Sequence, residues 1–398
     1  MPPPALPTGL VLSTAAHTIG IGLVVTLSAV YFTRVVGLSV TEVGAGLTLA
    51  GTVSIGVGIP LGWLSDRLGP QRLLTILLLG QALAVGLQTL VSSFTSFLAC
   101  VGLLAITTQG SAAVRAALIA AILPREIRVV GRGYLRAVTN VGVAIGTSLA
   151  AFALVSLSGP VFRWLFVLAA GAFILAAVIL SLFLTSPSRE TVVARPRAFA
   201  AIHDKPYAVV VGANALMHLH YAVLEVGIPL WVAIHTDAPA WAISVLLILN
   251  TASIILLQVP VGRRWGHLAQ AGPVTALAGM ALAGACIMLA VAGYTSGPTT
   301  FVVLVVAGLT HAMGELLHTN GSWAAGFGLA PEEAQGQYQG LFATGVAASQ
   351  AAGPILVTAV VIANGAWGWL AAAGFFGLVG LLFWKVIVTA SRTRTITE

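Results

Sequence analysis

Eight ionisable side chains interrupt apolar runs long enough to cross a bilayer: His17, Arg115, His218, His220, Glu225, His311, Glu315 and His318. On insertion scales each costs at least about 2.5–3.5 kcal/mol, so each is a candidate for function. Spacing sorts them. Asn214, His218, Tyr221 and Glu225 step by four, three and four, which on a helix shares one face and leaves His220 on another. His311, Glu315 and His318 form a second stripe on a separate run. A carboxyl buried in low dielectric has to meet a cation or take up a proton, so both glutamates are candidate proton carriers. Glu315 comes first, because it stands about halfway along its run with His311 and His318 beside it. Glu225 lies nearer an end and could orient a substrate. Arg115 differs from all of these, since an arginine does not shed its proton and needs a standing partner or an anion.

Other polar groups in the runs suggest what such a site would hold. Asn250, Gln258, Gln350 and Trp323 join Asn214, His218, Tyr221 and Glu225 as candidate substrate contacts, with Gln109, Gln339 and Phe342 as further lining. That mixture describes an amphipathic pocket rather than a strongly charged one. Histidine with glutamate also suggests zinc. No metal site is expected, because no His-Glu-x-x-His occurs and the His-x-His at 218 and 220 splits across helix faces. No cofactor is expected either. The chain has no G-x-x-x-x-G-K-[ST], so any work it does draws on an ion gradient rather than ATP, and it is not read as an enzyme. Cys100 and Cys286 lack metal or redox spacing and read as small core residues.

The elements that position these groups follow from composition. Of 398 residues, 58% are hydrophobic and 7% charged, where a soluble domain carries about 25% charged. The chain is therefore read as an all-α integral membrane protein with about twelve spans of about 20 residues. Six runs fall at about 9–33, 40–63, 73–92, 96–123, 132–157 and 161–185, and six more at about 207–234, 239–262, 272–294, 299–327, 334–362 and 366–389. The start, Met1-Pro2-Pro3-Pro4, has no basic n-region, so the first run is expected to be a retained helix rather than a signal peptide. Between the two sets lies a polar, Arg- and Pro-containing stretch. The expected organisation is an N-terminal six-helix bundle at 1–185, a linker at 186–206 and a C-terminal six-helix bundle at 207–398. With the amino terminus inside, fifteen basic residues fall on the inner connections and only Arg34 and Arg163 outside. By the positive-inside rule both termini are cytoplasmic, and the net charge of +7 needs no nucleic acid to explain it.

The two sets also repeat. Ile59-Pro60-Leu61-Gly62 returns as Val259-Pro260-Val261-Gly262, and Gly142-Val143-Ala144 as Gly345-Val346-Ala347. The second repeat has an offset of 203, and at the same offset Arg115 corresponds to His318. Between the second and third runs stands Gly62-Trp63-Leu64-Ser65-Asp66-Arg67-Leu68-Gly69-Pro70-Gln71-Arg72, which reads as a short charged loop. Its G-x-L-S-D-R-x-G resembles the loop between helices 2 and 3 of the major facilitator superfamily of secondary transporters. The resemblance implies a gating motif at Gly62, Asp66, Arg67, Gly69 and Arg72, in which the Asp pairs with basic groups to lock the two halves in one state. Pro70-Gln71 replaces two residues that are usually basic there. In the second half Arg263-Arg264-Trp265-Gly266-His267 keeps the basic groups but has no Asp.

The resemblance further implies a twelve-helix fold of two pseudo-symmetric bundles. At the position of Arg115 the family often carries a basic residue to which proton coupling is ascribed. The nearest branches are drug/proton antiporters, and they imply proton-coupled efflux of small amphipathic molecules by rocker-switch alternating access, in a plasma-membrane monomer whose partners are substrate, protons and lipid. Their Gly-Pro-x-x-Gly-Gly signature is missing from the fifth run, while Gly353-Pro354 stands in the eleventh. Two rival readings stay open: an uptake permease for a sugar or other polar solute, and a membrane receptor or scaffold without flux.

Overall fold

The computed structural model describes residues 6–156, 158–184 and 197–397. Among these residues the secondary structure is helical with no strand. In order, the helices are α1 (Thr8–Val30), α2 (Val40–Ile55), α3 (Gly58–Leu68), α4 (Pro70–Gln88), α5 (Phe94–Ile122), α6 (Arg128–Ser156), α7 (Gly159–Phe183) and the short α8 (Ala200–His203). They continue with α9 (Lys205–His218), α10 (His220–Ala222), α11 (Ile228–His235), α12 (Trp241–Trp265), α13 (Leu268–Ala292), α14 (Pro298–Gly328), α15 (Gln335–Leu356) and α16 (Gly365–Thr397). Among the described residues ten runs are long and apolar enough to span a membrane, and α2 with α3, bent by 51°, makes an eleventh. The last run, Glu332–Arg394, has 63 residues and is interrupted before Gly365, which sits at φ +58. At about 1.5 Å per residue it supplies two crossings, which completes the twelve-helix, all-α membrane fold.

The expected charged loop at 62–72 is almost entirely helical. Helix α3 runs through Asp66 and Arg67 to Leu68, and α4 starts at Pro70, so the chain turns on Gly69 alone. Its φ of +87 is open to glycine at little cost, and Pro70 at the first helical position sacrifices no hydrogen bond. Of the expected linker 186–206, residues 186–196 lie outside the described residues.

Contacts divide the chain into two compact units. Unit 1 comprises Met1–Pro124, Tyr134–Ala201 and Pro331–Thr344; unit 2 comprises Arg125–Gly133, Ile202–Ala330 and Gly345–Glu398. The entry to α6 thus belongs with unit 2, and the entry to α15 with unit 1. Inside unit 1, Leu23, Leu27, Tyr31 and Phe32 pack on Phe97 of α5 and on Phe162, Phe166 and Phe173 of α7. Rings meet at 4.9 Å for Tyr31–Phe166 and 4.5 Å for Phe32–Phe97. In unit 2, α13 is the hub against α14 and α16, where Gly279 and Gly380 let the backbones touch. Large apolar side chains such as Leu83, Ile174, Leu256 and Leu378 point outward, as lipid-facing helices require. Lipid is as apolar as leucine, so close glycine contacts and hydrogen bonds hold such helices together rather than hydrophobic burial.

Candidate functional site

Each unit encloses a buried polar cluster. In unit 1, Gln81 of α4 donates from Nε2 to the Thr107 carbonyl (3.2 Å) and to Ser111 Oγ. A carbonyl only accepts, so the Gln81 amide has one possible orientation and its Oε1 faces His17 Nε2 at 2.8 Å. His17 must therefore donate from Nε2, which leaves its Nδ1 as an acceptor. Arg115 fills that acceptor at 3.2 Å from one terminal nitrogen and donates to Thr14 Oγ1 at 2.8 Å from the other. A single carbonyl on α5 thus fixes the whole chain of bonds and holds His17 neutral beside a permanent cation.

In unit 2, His220, His311, Glu315, His318, Asn214 and Asn250 are all buried. His311 Nε2 lies 3.1 Å from the His220 carbonyl and must donate to it, so its lone pair is on Nδ1, which is buried without a hydrogen-bond partner. His318 bridges two residues, with Nε2 at 3.1 Å from Asn214 Oδ1 and Nδ1 at 3.2 Å from His220 Nε2. Asn250 of α12 donates to Glu315 Oε2 at 2.9 Å. One ligand-type atom from each of His220, His311 and Glu315 lies within 4.8 Å of the others, so the three can share a proton or gather around one cation.

The motif around Asp66 is built on glycine. Gly58 and Gly62 of α3 meet Gly340 and Gly336 at the start of α15 backbone to backbone, and a methyl group on Gly62 would overlap the Gly336 carbonyl. That contact brings the Asp66 carboxylate to the first turn of α15, where Oδ1 accepts from Gly336 N–H (2.7 Å) and Oδ2 from Gln337 N–H (3.0 Å). Unsatisfied N–H groups and the positive end of a helix favour an anion there. The Asp thus bonds two backbone donors of α15, a contact the resemblance did not imply. Arg67 stacks on Trp63 at 3.9 Å, Arg72 is exposed, and Gln71 donates to the Leu180 and Leu184 carbonyls at the end of α7.

A family model described as Major Facilitator Superfamily matches residues 10–354. The chain belongs to the major facilitator superfamily. Among solved structures, the fold is similar to the human organic anion transporter MFSD10 (TETRAN), at 15% identity and TM-score 0.73 over 96% of this chain and 100% of that one. It is likewise similar to a bacterial homologue of the iron transporter ferroportin in an outward-facing state with soaked iron, at 14% identity and TM-score 0.72 over 96% and 98%. No curated protein matches by sequence. As a superfamily member the chain has the fold of a multi-span secondary transporter of small molecules, which is not an enzyme's.

Of the site residues that sequence suggests for this superfamily member, Asn214, Asn250, His311, Glu315 and His318 come together. Gln258 does not join them: it packs beside Gly133 at the start of α6. Trp323 lies under Arg132 at 4.5 Å, and Gln350 and Glu225 are exposed. The proposed face of Asn214, His218, Tyr221 and Glu225 does not persist through the helix. The chain turns at Leu219, and a wide π-turn at Val223–Gly227 shifts the phase. Pro229 has no N–H for the Glu225 carbonyl, which accounts for the break in register. His220 accordingly faces α14, while His218 and Tyr221 are half-buried with rings 4.4 Å apart. Gln81 was not singled out from the sequence, and His17 and His220, candidates only as ionisable groups within spans, were left out of the proton-coupling and substrate sets. The offset of 203 was the available signal: it relates Arg115 to His318 and equally His17 to His220, so the touching pair Arg115–His17 has its counterpart in the touching pair His318–His220.

Proposed function

We propose that the chain is a proton-coupled exporter of small amphipathic molecules, of the drug/proton antiporter branch, acting as a plasma-membrane monomer by alternating access. Residues 1–185 and 207–398 are the two halves in this reading, with 186–206 as a cytoplasmic linker and both termini inside, in keeping with the basic residues on those connections. Glu315 is the observation that carries the proposal. It is a carboxyl buried in the middle of α14, oriented by Asn250 and neighboured by His311 and His220, and such a group changes its charge only by exchanging a proton or cation. Asp66, with Gly62 and Gly69, holds the entry of α15 in one of two states, and proton exchange at Glu315 biases the passage between them. Arg115 is not the carrier, because its proton stays.

The test is transport in proteoliposomes of a panel of labelled amphipathic compounds under an imposed pH gradient. Glu315→Gln keeps the shape of the side chain and its bond to Asn250 but cannot titrate. It is expected to abolish gradient-driven accumulation while retaining binding. Unchanged accumulation overturns the assignment. Accumulation that follows a zinc gradient and ignores pH would replace the proton by a metal cation.

A further inference from the structure

The guanidinium of Arg115 carries a charge for which unit 1 supplies no counter-charge. Its two hydrogen-bond partners are Thr14 and His17, both neutral acceptors, and no carboxylate meets it among the described residues. The bond chain through Gln81 rules out any help from His17, whose Nδ1 has to stay an acceptor. Thr14 and His17 take one N–H from each terminal nitrogen, which leaves three of the five donors of the fork to spare. Arg115 is only half-buried. Arg115 stands seven residues before the end of α5, still within the apolar run, where a guanidinium turned toward hydrocarbon is costly, so its open side is assigned to a water-filled space.

We propose that Arg115 is the binding site for an anionic group of the transported molecule, a carboxylate on an amphipathic body. Thr14 and His17 are positioning residues that aim the fork, whose parallel N–H groups match a carboxylate in geometry and charge. The inference names a substrate class for the export reading and rests on it, but it is independent of the proton carrier, since Glu315 belongs to unit 2.

The experiment uses the full-length protein in detergent and measures melting temperature against three matched probe sets: aromatic carboxylates from 1-naphthoate upward in size, their primary amides, and the corresponding primary amines. A ligand that binds the folded state raises the melting temperature by mass action. Carboxylates are expected to stabilise the wild type, amides and amines to do so far less. Arg115→Gln is expected to weaken carboxylate binding about 30-fold or more, the usual consequence of truncating one partner of a desolvated charge pair. Arg115→Lys, which keeps charge but loses the fork, is expected to fall between. Without ligand, the Arg115→Gln protein is expected to melt no lower than wild type, because an uncompensated charge has been removed; a large drop would make Arg115 a structural residue and overturn the proposal. Amides or amines binding as well as carboxylates, or carboxylate binding that survives both substitutions, overturns it too. If none of the three sets binds, the amphipath reading fails and this inference with it. Arg115-dependent carboxylate binding alongside intact pH-driven transport in Glu315→Gln would leave the inference standing and remove only the proton carrier.

Discussion

The two units solve one packing problem with different chemistry. In each, a histidine on the first helix of the half touches the residue 203 positions from its counterpart on the fourth, Arg115 with His17 in unit 1 and His318 with His220 in unit 2. Unit 1 places a permanent cation at that contact and pins the histidine neutral; unit 2 places titratable groups there and adds Glu315. The same division recurs at the glycine crossings. Gly62 lies against backbone, with Asp66 one turn on to bond the facing helix, whereas Gly262 lies against the Asn320 side chain and Gly266 stands where Asp66 would. Duplicated halves can keep a framework while changing its side chains: here a fixed charge stands in one, and a carboxyl with histidine neighbours in the other.

The crossings give the sharpest way to break this comparison. A methyl group on Gly62 meets a carbonyl oxygen that cannot rotate away, while one on Gly262 would stand 2.9 Å from Asn320 Oδ1, at the end of a side chain that can move. Gly62→Ala is expected to destabilise the protein by about 3 kcal/mol, at the upper end of overpacking costs, and Gly262→Ala by under about 1 kcal/mol. Melting temperatures of the two variants decide it. Equal losses would mean that the crossings do not differ.

Asp66→Asn should come next in size. The asparagine keeps one acceptor oxygen but loses the second bond and the charge at the start of α15. A loss of about 1–2 kcal/mol from this one state is expected for a charge-assisted cap at a partly buried helix end. On the proposed reading of Asp66 as a latch rather than a substrate contact, transport is expected to slow severely while ligand binding stays largely intact. Wild-type flux from a variant that binds normally would remove the latch.

Much of this design was legible in the residue pattern, and the exceptions have physical causes. The spans, Gly69 and the lone Asp could be read because turn chemistry and hydropathy are local. The place of His220 beside Asn214 and His318 could not, because counting by 3.6 from Asn214 assumes an unbroken helix and the chain turns at Leu219, just before it. Gln71 looked like a weakened motif; its amide instead caps the end of α7, a contact 109 residues away that no local pattern reports. The direction of the Gln81–His17–Arg115 chain depends on one carbonyl of a different helix, so composition reveals the parts and not their order.

The smallest expected effect tests the same contrast at the helix starts. Helix α5 caps itself with neutral groups, Ser96 N–H donating to Ser93 Oγ and Ser93 N–H to Ser96 Oγ. At the start of α14 a carboxylate from the α11–α12 connection does the work: Asp237 Oδ2 accepts from Gly297 N–H at 2.6 Å, with Gly297 itself at φ +61. That backbone bond, aided by the Thr300 hydroxyl, holds the Asp237 carboxyl below its ordinary value. A group whose folded value is lowered contributes stability that is fully present above its unfolded value, about 3.9, and is lost as the pH falls through the folded value. Asp237→Asn should therefore melt below wild type at pH 7 and by the same margin at pH 5, and the gap should start to shrink below about 4 and close as the pH falls through the lowered folded value, where the folded aspartate itself becomes neutral. Ser93→Ala in unit 1 should show a gap with no such closure. A gap for Asp237→Asn that persists unchanged to pH 3 would mean that the side chain acts by shape alone, and the two helix starts would then not differ in charge.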